Sequence, residues 1–111
     1  MQLRNALLAG FVISCWLGVG SALAFDEDAA RHLMKKSNCF KCHSIDKKKE
    51  GPSFHKTATE MKGKPDAEHK LYVHLTTHPK VKVDGKEEEH ASLKTKDDAD
   101  IKNVIQYILA Q

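Results

Sequence analysis

Apolar and polar positions divide the chain at residue 24. Before that point a single charge, Arg4, precedes an almost unbroken apolar run, "ALLAGFVISCWLGVG", which closes with "SALA". After it the apolar residues recur with helical spacing. Asp26 or Asp28 is placed to cap a helix over residues 26–40, in which Ala29, Ala30, Leu33 and Met34 share a face. "DKKKEGPSF" reads as a charged loop broken at Gly51-Pro52, and "SFHKTATEM" as one or two helical turns. In "GKPDAEHKLYVHLTTHP", Pro65 suits a first turn, Asp66 and Glu68 favour the positive end, and Pro79 lies past the stop. "KVKVDGKEEEHASLKT" has no helical period and carries Asp84-Gly85, so it is expected to be a loop, with "KVKV" too short to carry a sheet. The last segment has the clearest pattern. Thr95 or Asp97 can cap it, and Ile101, Val104, Ile105, Ile108 and Leu109 fall at i, i+3, i+4, i+7 and i+8. The predicted architecture is all-α, three to four helices around one small core.

The first 24 residues have the form of a secretory signal: a charged start, an apolar middle and small residues at Ala22 and Ala24, with cleavage expected after Ala24. A retained anchor would need a longer run and a basic flank, whereas Asp26, Glu27 and Asp28 follow. Lipidation at Cys15 is a further alternative, but nine mostly apolar residues follow that cysteine. The reading is therefore a signal over 1–24 and one domain over 25–111, exported to the periplasm, with no stable membrane insertion after cleavage. Losing Arg4 from the 18 basic residues leaves 17 against 15 acidic ones, a balance of +2. So weak a charge argues against a nucleic-acid partner. A domain this small usually needs a staple. Its two cysteines, Cys39 and Cys42, are too close in sequence to close a long loop.

Those cysteines belong to "CFKCH", the C-x-x-C-H pattern of c-type haem attachment. Thiols at i and i+3 lie on one side of a helical turn and can add to the two vinyl groups of one porphyrin. The next residue, His43, then presents an imidazole to the iron. One covalent haem c would supply the missing staple. Two other readings use the same residues. A thioredoxin-type disulfide needs a βαβ frame, which the pattern lacks, and structural zinc needs four ligands.

From these residues onward the sequence resembles the small class I bacterial c-type cytochromes, over nearly all of residues 26–111. "KKSNCFKCHSIDKKKEGPSF" resembles their attachment helix and Gly-Pro loop, and "DDADIKNVIQYILAQ" their C-terminal helix. The resemblance implies that the Pro52 carbonyl receives the Nδ1–H of His43, and that Tyr107 lies where the last helix crosses the first, near Leu33. It also exposes a departure. The family's methionine ligand precedes the last helix by about eight residues, and here that position is His90. Met34 falls within the first helix, where core packing is expected, and Met61 follows His43 too closely. Imidazole and thioether are both established axial ligands. The expected pair is thus His43 and His90, with Met61, His55, His69, His74 and His78 as alternatives. Of these, His74 and His78 are expected at a solvated helix end; His32 is expected on the surface.

Two strong axial ligands leave no easy access to the iron. The expected role is a one-electron carrier rather than an enzyme, meeting other redox proteins in transient encounters. Lys35, Lys36, Lys41, Lys47, Lys48 and Lys49 would steer those encounters. Glu87, Glu88 and Glu89 would add a field favouring ferric iron. A labile or absent sixth ligand would instead make this a ligand-binding or peroxide- or oxygen-reacting haem protein.

Overall fold

The computed structural model describes residues 25–111. The signal and cleavage site expected at 1–24, with Cys15, lie outside the described residues. Helix α1 spans Glu27–Lys36. Asp26 caps it by accepting from the Ala29 amide at 2.9 Å, and acidic first-turn and basic last-turn residues complement the helix dipole. The helical pattern read over 26–40 is interrupted: Asn38 adopts φ 60°, a left-handed conformation that asparagine tolerates, and the chain restarts as a single turn, α2, Cys39–Cys42. Helix α3 spans Phe54–Met61, capped by Ser53, which accepts from the Lys56 amide. Helix α4 spans Ala67–Thr76. Its Pro65 lies in the preceding turn rather than in the first helical turn, and Asp66 pairs with Lys70 at 3.0 Å instead of capping through its side chain. Helix α5 spans Asp98–Leu109, and Asp97, not Thr95, is its cap, accepting from Ala99 at 2.8 Å.

The expected loop between α4 and α5 is instead partly a β-hairpin. Strands β1, Lys80–Val83, and β2, Lys86–Glu89, pair antiparallel. Asp84 and Gly85 have φ of 50° and 79°, both positive, as a two-residue type I′ turn requires. Lys80 faces Glu89 and Lys82 faces Glu87 across the pair, with a 3.0 Å ion pair from Lys80 to Glu87. Opposite charges stand where like charges would repel. The expected helical architecture is borne out: among the described residues there are five helical segments, one of them a single turn, to which the hairpin adds one small two-stranded sheet.

Helix α5 is the centre of packing, in contact with α1, α3 and α4. Its Ile101, Val104, Ile105, Tyr107 and Ile108 are buried, together with Met34, Phe54, Leu71, Leu75 and Leu93. Crossing of α1 and α5 is fixed by polar pairs. Asp26 and Asn103 exchange two 2.8 Å hydrogen bonds, and Arg31 donates to the Tyr107 hydroxyl at 2.9 Å. Among the described residues no helix is long and apolar enough to cross a membrane.

Candidate haem site

Helix α2 and the loop after it place His43. The loop folds back on α2: the Gly51 amide donates to the Cys42 carbonyl at 2.7 Å, and Lys49 Nζ reaches the Phe40 carbonyl at 2.8 Å. This return brings the Gly51 backbone against the His43 ring. A Cβ added at Gly51 would stand 2.5 Å from His43 Cε1, so glycine is required by close approach, not by a turn. The next residue offers its carbonyl, and His43 Nδ1 lies 2.7 Å from Pro52 O. On its other side the imidazole stacks on buried Phe54, centroids 5.1 Å apart and planes 24° apart. The ring is thus held by a backbone wall, a hydrogen bond and an aromatic face.

Cys39 and Cys42 are unpaired and half-buried. Burial pushes the Cys39 thiol up to about 11. A 3.2 Å hydrogen bond to the Glu50 carboxylate raises that of Cys42. Both thiols are therefore held protonated near pH 7, the unreactive form of cysteine. Among the described residues no three His, Cys, Asp or Glu side chains are grouped to hold a metal ion.

His90 is positioned by the hairpin before it and the segment after it. Its amide donates to the Pro79 carbonyl at 2.8 Å, one step beyond the Lys80–Glu89 pair. Three residues on, Leu93 N donates to Leu75 O at 3.0 Å. Lys94 N donates to the hydroxyl of buried Ser37, at the end of α1 next to the attachment turn. Both histidines are thereby referenced to one frame. Their ring centroids are 6.1 Å apart. Metal–imidazole bonds of about 2 Å and a ring radius of roughly 1.1 Å put two opposed ligands about 6 Å apart across one ion. The residues present fit a haem iron between these rings, with the two thiols on the turn beside it.

The other candidates lie elsewhere, with one exception. Met34 is fully buried in the core. Met61 and His55 line a separate cavity of about 720 Å³ with Lys64, Pro65 and Glu68, which includes neither cysteine, His43 nor His90. His32, His69 and His78 are exposed. His74 departs from expectation: it is half-buried, not solvated, and its ring centroid is 4.1 Å from that of His90. Burial, then the neighbouring imidazoles, push His90 down to about 4, and burial lowers His74 as well. Both rings are held neutral, the form a metal ligand takes. Sequence reasoning also missed Gly51 and Phe54 as contacts of His43; the Gly51-Pro52 break signalled a loop but not what the loop touches. The lysines beside the attachment turn, Lys35, Lys36, Lys41, Lys47, Lys48 and Lys49, are all exposed. The three glutamates are exposed too; Glu87 and Glu89 face lysines across the hairpin, while Glu88 faces Val81 and contributes to raising the Cys42 thiol.

Comparison with known proteins agrees with this geometry. The family model described as Cytochrome c matches residues 27–111. Among solved structures the chain is similar to the class 1 cytochrome MtoD of Sideroxydans lithotrophicus ES-1, at 48% identity and a TM-score of 0.75, covering 78% of this chain and 97% of that one. A search of curated proteins gives no significant match. With the attachment motif, the fold and these likenesses in agreement, the chain belongs to the cytochrome c family, as a small class I c-type cytochrome with one covalently bound haem c.

Proposed function

We propose that this cytochrome is an exported one-electron carrier, not an enzyme, with its haem iron held between His43 and His90. The observation that carries the reading is the 6.1 Å separation of those two rings, which suits one iron between opposed imidazoles. Bound haem supplies a reversible one-electron couple, and the protein's work is to hold it and tune it. Cys39 and Cys42 tether it through thioethers. Pro52 accepts the Nδ1–H of His43, which fixes the tautomer and leaves Nε2 for the iron. His90 would supply the second protein ligand to the iron and so keep substrates and small ligands off it. The exposed lysines around the attachment turn favour brief encounters with acidic redox partners, which need only small interfaces. Periplasmic location rests on the pattern of residues 1–24.

The test is the low-temperature spin-resonance spectrum of the ferric protein beside that of His90→Ala, with carbon monoxide added to each ferrous form. The wild type is expected to give a low-spin signal of two nitrogen ligands and to refuse carbon monoxide, and the variant to lose that signal and bind the gas. An unaltered spectrum in the variant would remove His90 from the iron. Rapid gas binding by the wild type would replace the carrier with a ligand-binding haem protein.

A further inference from the structure

The side of the cleft facing His43 holds two imidazoles, not one. His74 and His90 have ring centroids 4.1 Å apart and planes inclined at 47°. His74 lies in the last turn of α4, whose Leu71 and Leu75 are buried in the core. The hydrogen bond from Leu93 N to Leu75 O ties the segment carrying His90 to the residue next to His74. The backbones that carry the two rings are thereby held side by side.

The two axial histidines differ in how their second nitrogen is treated. His43 Nδ1 has the Pro52 carbonyl at 2.7 Å. His90 Nδ1 is enclosed and has no hydrogen-bond partner. A ligating imidazole normally donates its other N–H to a fixed acceptor, and an enclosed N–H without one is costly. We propose that His74 is the positioning residue of the axial ligand His90, its ring nitrogen accepting the Nδ1–H of His90 when the opposite nitrogen of His90 is bound to iron. This rests on His90 ligation as argued above. A rotation of the His74 imidazole about its side-chain bonds brings a nitrogen into line. The main-chain carbonyls of His74 and Ala91 also face the His90 ring and are the competing acceptors.

The consequence is electronic as well as geometric. Donation to an acceptor raises the basicity of a ligating imidazole, which favours ferric iron and lowers the potential. In holoprotein, His74→Phe keeps the bulk and removes the acceptor. It is expected to keep a two-nitrogen low-spin signal with altered g-values and to shift the potential upward. His74→Gln, which restores an acceptor, is expected to move both back toward wild type. No change in His74→Phe would overturn the proposal and leave a main-chain carbonyl as acceptor. Equal shifts in Phe and Gln variants would overturn it in favour of packing alone. Loss of the two-nitrogen signal in His74→Phe would overturn it by making His74 the ligand. If His74→Phe does not take up haem, His74→Leu carries the same comparison. His90→Ala, measured alongside, keeps the two questions apart: an unaltered spectrum there sinks His90 ligation itself, whereas loss of the ligand there with a silent His74→Phe sinks only the role of His74.

Discussion

Gly51 shows how narrow the tolerance is at the scale of single residues. Its missing side chain is the space His43 occupies, and an added Cβ would meet three atoms of that ring between 2.5 and 3.0 Å. Either the loop or the imidazole must move. Gly51→Ala is expected to lower the holoprotein's stability by about 1–3 kcal/mol, the usual cost of overpacking. Denaturant unfolding followed by haem absorption measures it, and an unchanged midpoint would contradict the argument. On the ligation proposed above, His90 is the second residue whose identity sets a property by itself. Thioether ligation raises a haem potential relative to imidazole, so His90→Met is expected to titrate at a higher potential than wild type. Of the three glutamates on the hairpin, Glu87 and Glu89 face Lys82 and Lys80, whereas Glu88 faces Val81 and its charge helps to raise the Cys42 thiol.

The hairpin is the element that converts backbone geometry into the position of His90, the proposed ligand. Pairing ends at Glu89, and the next bond of the chain is His90 N to Pro79 O. Register is therefore transmitted directly to the imidazole. Gly85 makes this possible, with φ at 79° and nothing within 4 Å of a Cβ built on it. A substitution there strains the backbone without touching a neighbour. Gly85→Val is expected to cost about 1–2 kcal/mol, the penalty of a left-handed conformation. Hydrogen exchange should then speed up roughly 5- to 30-fold for the strand amides while those of α5 keep their protection. Equal acceleration in both would mean that the hairpin and the helical core open as one unit. Asp84-Gly85 is a turn signal in the sequence, but it reads equally as a loop break because only "KVKV" alternates beside it. Its partner strand, Lys86–Glu89, is exposed at every position and offers no periodic signal.

For the whole molecule the governing quantities are charge distribution and the shared frame of the two histidines. Residues 25–111 carry little net charge, but six exposed lysines flank the attachment turn in sequence. Steering acts over about a Debye length, roughly 8 Å at physiological salt, so local placement outweighs the total. Replacing Lys47, Lys48 and Lys49 by Glu is expected to slow oxidation by ferricyanide, an anionic probe, severalfold at low ionic strength. At about 1 M salt, where screening is nearly complete, the variant and wild type should converge. A rate insensitive to the replacement at every salt concentration would remove these lysines from the encounter surface. The frame itself is assembled from distant parts: Ser37 at the end of α1, Leu75 in α4 and the segment 90–94 meet through two hydrogen bonds.

By itself the sequence determined what depends on near neighbours. The thiols and His43 lie within five consecutive residues, Asp26 and Asp97 cap helices through amides two or three positions on, and the α5 stripe follows from the helical period. Tertiary structure decided what depends on approach between segments far apart: the wall that Gly51 makes against His43, the stack on Phe54, the separation of His43 from His90, and the presence of His74 beside them. The physical reason is that spacing along a chain fixes only the relation of groups sharing one local conformation. Contacts such as Leu93 to Leu75 are set by the burial of a common core, and it is those contacts that chose which imidazoles line the cleft.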